Sequence, residues 1–460
     1  MRIGFMNPQG NFDNEDSYWT EHPDFGGQLV YVKELALALD KLGIQVDLFT
    51  RQIIDKDWPE FKNEEEFYEG SYVKIVRIPF GPEKFLKKEE LWPYLKEYAK
   101  GIEDYYNRIG EKPDFITSHY GDGGLSAFYF KELTGIPFSF TGHSLGAQKM
   151  DKLKISRDNY HVSDRVYRFT KRIEGERRTM EEASLIFVST NQERIDQYSH
   201  ERYEDAISID DPKFRVVPPG VNLDIFNTDI ENSEEAYTKK HLHKILVRDL
   251  DVKRQDLPII ISSSRLEGKK NHLGLLRAFG ENKELQNAGN LLIALRGIDN
   301  PYKDYISLKN EEKSIMDELM KTIDDIGLRG KVAFVNLLNQ KQLAATYRFI
   351  GNQGGVFALT SLYEPFGLAP VEAMACGLVV VVTKNGGPSE VLMERGEKYG
   401  FLVDPEDPKD IGEKLKEALT DKTMWIKMKE QGKKRVYEKY TWESTAKGYL
   451  KSINEILTEN

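Results

Sequence analysis

The chain has 460 residues, 40% hydrophobic and 30% charged, with a formal net charge of -10. That length asks for two cores rather than one, the composition is that of a soluble globular protein, and the acidic balance argues against general nucleic-acid binding. The longest apolar run, "GLVVVV" at 377–382, is too short to span a membrane, and the single cysteine, Cys376, excludes an internal disulfide framework or a cysteine metal cluster.

The opening "MRIGFMNPQG" reads directly as a strand and lacks the features of a signal peptide, so a reducing cytoplasm is the expected location. "GGQLVYVKELALALDKLG" follows, with Val32, Leu35, Leu39 and Leu42 on one helical face. Further β-rich runs come in order: "QVDLFT", "VKIVRIPF", "DFITSHY", "PFSFTGH", "LIFVST" and "FRVVPPG". After a break near "PPGVNLDIFN" a second series begins: "PIIISSS", "NLLIALRG", "KVAFVNLL", "GVFALTS", "LVVVVT" and "GFLVDP". Helical periods separate the runs in both halves, and such alternation implies parallel sheets covered on both faces. The expected fold class is therefore α/β, with two Rossmann-like domains facing each other over a cleft. They are placed at 1–219 and 220–437, and the helical tail 438–460 is expected to pack back on the first.

In open α/β sheets ligands bind beyond the carboxyl ends of strands, and the motifs of this chain stand there. "GVFALTSLYEPFGLAPVEAMACG" is strand, loop, helix; Pro365 and Gly367 suit a tight turn into the helix. The N–H groups of Phe366, Gly367, Leu368 and Ala369 would then be open to a phosphate. Glu372 is placed to accept from ribose hydroxyls, and Glu364 to reach a sugar beyond the phosphates. Taken alone, this is as well read as a capped helix with two solvated acids. "SRLEGKKN" changes the balance: Arg265 and Lys270 follow a strand and precede a helix, and can converge on a diphosphate. Lys269 reads as a solvated neighbour. Cations and paired acids in one Rossmann-like domain, without a dinucleotide or Walker A motif, point to a nucleotide-diphosphate sugar.

Glu364 to Glu372 as E-x7-E, Arg265 with Lys270, and His143 in "TGHSLG" together resemble the family 4 retaining glycosyltransferases. "NPQGNFD", "HPDFGGQLVYVKELA", "RIPFGP", "TGHSLGAQKM", "KRIEGERRTM", "TKNGGPSE" and "LVDPEDP" are similar to those members that transfer glucose from UDP-glucose to fructose 6-phosphate. The resemblance covers nearly the whole chain. It implies the GT-B fold, a hexosyltransferase activity giving sucrose 6-phosphate and UDP, no required cofactor or metal, and a separate phosphatase acting on the product. It assigns Arg265 and Lys270 to the diphosphate, Glu372 to the ribose, Glu364 to the transferred sugar, and the backbone of "NLLNQ" (336–340) to the base. His143 would line the donor sugar and reacting centre. Gly26 and Gly27 open the first helix, where bare backbone can approach an acceptor, and Gln28 can bond its hydroxyls with both ends of the amide. Lys88, Lys149 and Arg172 match the family's positions for the 6-phosphate. Tyr120 suits either an acceptor contact or a core tyrosine.

Other features read as bland. The acids at 210–211 and 324–325 are turn or helix-surface groups, "HLH" at 241–243 lacks a third ligand, and Cys376 fills a helix end. No clear nucleophile is apparent, so same-face attack is favoured over double displacement. The rivals are a GDP-mannose enzyme using the same acceptor, sucrose synthase with unphosphorylated fructose, a nucleotide-sugar epimerase of the same fold, and a non-catalytic sugar-binding protein. The last two have no use for the Lys88, Lys149, Arg172 set or for the full donor set respectively.

Overall fold

Successive residues of the apolar runs point to opposite faces of a sheet, and here both faces are buried. A computed structural model describes residues 1–19, 22, 24–156, 158–230, 233–308 and 310–459, so Pro23 of the "HPDFGG" stretch lies outside the described residues. The chain divides into two compact units, Met1–Pro219 with Trp442–Asn460, and Gly220–Thr441.

The first unit is built on β1 (Arg2–Met6), β2 (Gln45–Arg51), β3 (Glu65–Phe67), β4 (Lys74–Ile78), β5 (Phe115–His119), β6 (Phe138–Thr141), β7 (Leu185–Val188) and β8 (Phe214–Val216). Their order is β3-β4-β2-β1-β5-β6-β7-β8. All neighbours pair parallel except β3, which runs antiparallel to β4 with Glu65 opposite Val76. β3 was not legible in the sequence: "EEF" offers no apolar run, and it exists because the β4 edge supplies a partner. Chain direction across the sheet reverses between β1 and β5, so the loop "NPQG" after β1 and the helix start "YGD" after β5 flank the switch point where such sheets bind ligands.

The second unit uses β9 (Ile259–Ser263), β10 (Asn290–Leu295), β11 (Val332–Asn336), β12 (Val356–Leu359), β13 (Val379–Thr383), a small hairpin of β14 (Met393–Glu394) and β15 (Glu397–Lys398), and β16 (Phe401–Val403). The six-stranded sheet β11-β10-β9-β12-β13-β16 is parallel throughout, with its reversal between β9 and β12. Ile259 and Ile261 enter one core while Ile260 enters the other; Val380 and Val382 likewise part from Val379 and Val381. This two-sided burial is why the strands read as continuous apolar runs. Each fully buried valine or isoleucine contributes roughly 1.5–3 kcal/mol.

The tail departs from its expected boundary. Residues 438–441 belong to the second unit, because helix Lys422–Lys439 is fixed there by Arg435, whose Nε donates to the Val391 carbonyl at 2.5 Å and whose Nη1 meets Glu394 at 2.8 Å. Only from Trp442 does the chain pack on the first unit. Tyr449 then stacks on Phe187 with ring centres 3.7 Å apart, and its hydroxyl bonds Tyr31 (2.9 Å) and Thr141 (2.8 Å). No described helix is long and apolar enough to cross a membrane.

Candidate active site

In the second unit the loop after β12 turns into helix Leu368–Ala375 through Gly367, which sits at φ 87°. That left-handed conformation suits glycine. No side chain caps the helix. The N–H groups of Phe366, Gly367, Leu368 and Ala369 have no partner among the described residues, leaving an uncapped, electropositive helix start. A second loop clamps the turn from behind. Glu364 N–H donates to the Asn385 carbonyl (3.1 Å), Gly387 N–H donates to the Glu364 carbonyl (3.0 Å), and a Cβ on Gly386 or Gly387 would collide with the carbonyl of Glu364 or Pro365.

Glu364 lies at the mouth of this turn and is paired with Lys270, Nζ to Oε2 at 2.7 Å. Arg265 and Lys270, expected to converge on a diphosphate, each meet a different acid. Arg265 follows β9 with its side chain 78% exposed, and it meets Glu267 at 3.0 Å. Lys269 meets the same Glu267 at 2.8 Å. Lys270 turns inward because Glu364 attracts it; Arg265 stays out because Glu267, two residues on, is its nearest acid. Arg265 instead lines a cavity of about 210 Å³ with Ser263, Leu295, Leu337, Asn339 and Gln340. Part of "NLLNQ" and Arg265 thus share one concavity. Glu372 is half-buried in the helix, and desolvation pushes its carboxyl up to about 7. Cys376 ends that helix as a buried free thiol.

The first unit gathers the other cations. Lys88, Tyr120 and Arg172 line one small pocket with Gln9 and Asp122. Lys88 Nζ pairs with Asp24 Oδ1 at 3.1 Å. Arg172 is buried: its Nε donates to Glu176 Oε1 at 2.8 Å, its Nη2 to the Ser144 carbonyl at 2.7 Å, and its guanidinium lies 4.5 Å from the Tyr120 ring centre. Glu176, fully buried, also accepts the Gly146 N–H and the Tyr203 hydroxyl, so it anchors the short helix Gly146–Lys152 that carries Lys149. Lys149 has no carboxylate partner among the described residues; its Nζ rests 4.7 Å from the Tyr167 ring centre. Burial, with Arg172 and Lys88 nearby, pulls its pKa down to about 8. Asp122 is driven the other way, up to about 7, by burial. Tyr120 opens its helix at φ 68°, a conformation that costs a non-glycine residue about 1 kcal/mol.

His143 is likewise left-handed, at φ 56°, in the loop after β6. Its Nε2 is 3.1 Å from Nδ1 of His119, and burial pulls its pKa down to about 3. Gly26 and Gly27 are exposed at the start of helix Gly27–Lys41, where a Cβ on either would meet nothing. Gln28 holds its buried Nε2 without a partner among the described residues. His119, Asp24, Asp122 and Glu176 escaped the sequence reading, as did the clamp at Gly386 and Gly387. Arg172 and Glu176, four apart on a helix, carried the only local signal. The remaining features are ordinary: Asp324 pairs with Arg329 at 2.6 Å, and the described residues hold no group of three metal-ligating side chains at "HLH" or elsewhere.

Comparison with known proteins matches residues 1–247 to the first GT-B domain of sucrose synthase and residues 248–435 to glycosyl transferases group 1. A probable sucrose-phosphate synthase of Thermosipho melanesiensis is 47% identical, over 100% of this chain and 98% of that protein. The sucrose-phosphate synthase of Spinacia oleracea is 31% identical over 94% of this chain, which spans only 45% of the plant protein. Among solved structures, a sucrose-phosphate synthase from Thermosynechococcus elongatus superposes with a TM-score of 0.71 at 22% identity, covering 100% of both chains. The architecture is the GT-B fold.

Proposed function

The chain belongs to the sucrose-phosphate synthase family of group 1 glycosyltransferases, and we propose that it moves glucose from UDP-glucose to fructose 6-phosphate with retention of configuration, releasing sucrose 6-phosphate and UDP. The observation that carries the phosphorylated acceptor is the gathering of Lys88 and Arg172 in one small pocket with Tyr120 and Tyr167, with Lys149 over the Tyr167 ring and close enough to feel both charges. An acidic protein has little reason to concentrate three cations beside a small pocket unless an anion enters. The first unit is therefore assigned the acceptor and the second the nucleotide sugar.

On the donor side the open N–H groups at 366–369, with Lys270 and Arg265, take up the charge that grows on the departing diphosphate. Glu364, already oriented by Lys270, accepts from hydroxyls of the transferred sugar, and Glu372 from the ribose. His143 lines that sugar as a neutral ring. The bond from the anomeric carbon to the UDP oxygen breaks as the fructose 2-hydroxyl oxygen bonds to the same face, and the hydroxyl proton passes to the leaving phosphate. The charge needed is supplied by these side chains and amides, so no metal or cofactor is required. A separate phosphatase acts on the product, and a reducing cytoplasm, where Cys376 stays a thiol, is the assigned location.

Incubation with UDP-glucose, ADP-glucose and GDP-mannose, each with fructose 6-phosphate or fructose, tests the assignment by mass spectrometry. A product of sucrose 6-phosphate mass from UDP-glucose alone is expected, with the α-glucosyl proton coupling by NMR. Product only from GDP-mannose, or from fructose as readily as from its phosphate, would overturn it.

A further inference from the structure

His119 ends β5 fully buried, and only one of its ring nitrogens finds a partner. Nδ1 lies 3.1 Å from His143 Nε2, and the two rings stack with centres 5.3 Å apart and planes 26° from parallel. Phe5 stacks on His119 at 5.5 Å. Nε2 of His119 is buried with no partner among the described residues. Tyr31 meets the His143 ring edge-on at 4.9 Å, itself pinned by the hydroxyl of Tyr449. Two rings and a hydrogen bond thus fix the orientation of His143, and Nδ1 is left as the nitrogen through which it can act.

Burial moves both histidines below the ordinary range, so each is neutral near pH 7 and carries one N–H. Two arrangements then satisfy the shared bond. If His119 Nδ1–H donates, a lone pair at His119 Nε2 is left unused and His143 bears its proton on Nδ1. If His143 Nε2–H donates, a buried N–H on His119 is left without an acceptor. Orphaned buried donors are rarer than under-used acceptors, and here that difference outweighs the mild preference of free imidazole for the Nε2–H form.

We propose that His119 is a positioning residue: it donates Nδ1–H to His143 and locks His143 as the Nδ1–H tautomer, which offers that N–H to a hydroxyl oxygen of the transferred sugar. The last clause rests on the reading that His143 lines that sugar; the tautomer does not. The full-length protein labelled with ¹⁵N-histidine decides the tautomer without substrate, His143→Gln serving for assignment. Protonation of His143 at Nδ1 is expected; protonation at Nε2 overturns the proposal. His119→Asn keeps an amide N–H near the Nδ1 position, and should preserve both the tautomer and turnover within about threefold. His119→Phe keeps the stack on Phe5 but has no donor; His143 should shift toward Nε2–H and kcat fall about tenfold with both KM values little changed. Unchanged kcat or an unchanged tautomer in His119→Phe refutes the positioning role. Failure of the wild type to use UDP-glucose would instead refute the proposed function, and the labelled spectra would still settle the tautomer.

Discussion

Lys149 is the cleanest probe of the acceptor phosphate, because the other two cations are already committed. Removing Arg172 would strand Glu176, buried beneath it, at a cost of about 3–5 kcal/mol. Removing Lys88 would free Asp24. Lys149 rests on a tyrosine ring and has no carboxylate partner among the described residues, and burial with the two neighbouring cations pulls its pKa down to about 8. The phosphomonoester, with its second pKa about 6, is a dianion throughout the alkaline range, so the lysine is the partner that titrates. Above its pKa the free enzyme loses the charge, and acceptor KM should grow as one plus the ratio of neutral to charged lysine. Between about pH 7 and pH 9 that factor rises about tenfold. The rise stays within the roughly 1.5–3 kcal/mol of a charge-assisted hydrogen bond. KM for fructose 6-phosphate is measured across this range in wild type and in Lys149→Arg, whose guanidinium stays charged. Asp122, near 7, titrates on the acid side and is common to both proteins. A flat KM in wild type, or the same alkaline rise in Lys149→Arg, would refute the reasoning.

Lys270→Ala and Arg265→Ala should each lower turnover about 10²–10³-fold while leaving acceptor KM nearly unchanged, as measured by steady-state kinetics; near-normal turnover in both would displace the diphosphate assignment. Gly387→Ala drives a methyl group against the Pro365 carbonyl behind the "EPFG" turn. It should cost about 1–3 kcal/mol of stability in thermal unfolding and weaken UDP binding by calorimetry, whereas an unaltered midpoint would show the clamp to be slack. Transfer should persist in excess EDTA if Lys270, Arg265 and the amides at 366–369 supply the positive charge for the leaving group, as proposed. Abolition by EDTA with rescue by a divalent ion would contradict that.

The α/β character of each unit follows from the chain alone, since a strand covered on both faces must carry consecutive apolar residues, like the isoleucines at 259–261 and the valines at 379–382. The "EPFG" helix start was legible for the same kind of reason: proline and glycine restrict the backbone locally, and the uncapped N–H groups follow from that turn. Lys88, Lys149 and Arg172 came from the family resemblance, on the motif stretches that carry them. Their charge states, and the partner of each, were not legible. Lys270 and Glu364 are 94 positions apart, and Lys88 and Asp24 are 64 apart. Which acid reaches which base is settled by strand order, and strand order is a property of the packed sheet. The same holds for His119 and His143. His119 ends β5 and His143 lies in the loop after the adjacent β6, and only parallel pairing brings the two strand ends side by side. Sequence fixes what a residue can do within a few bonds of its own backbone; electrostatics and hydrogen bonding across the fold depend on distances that only tertiary packing creates.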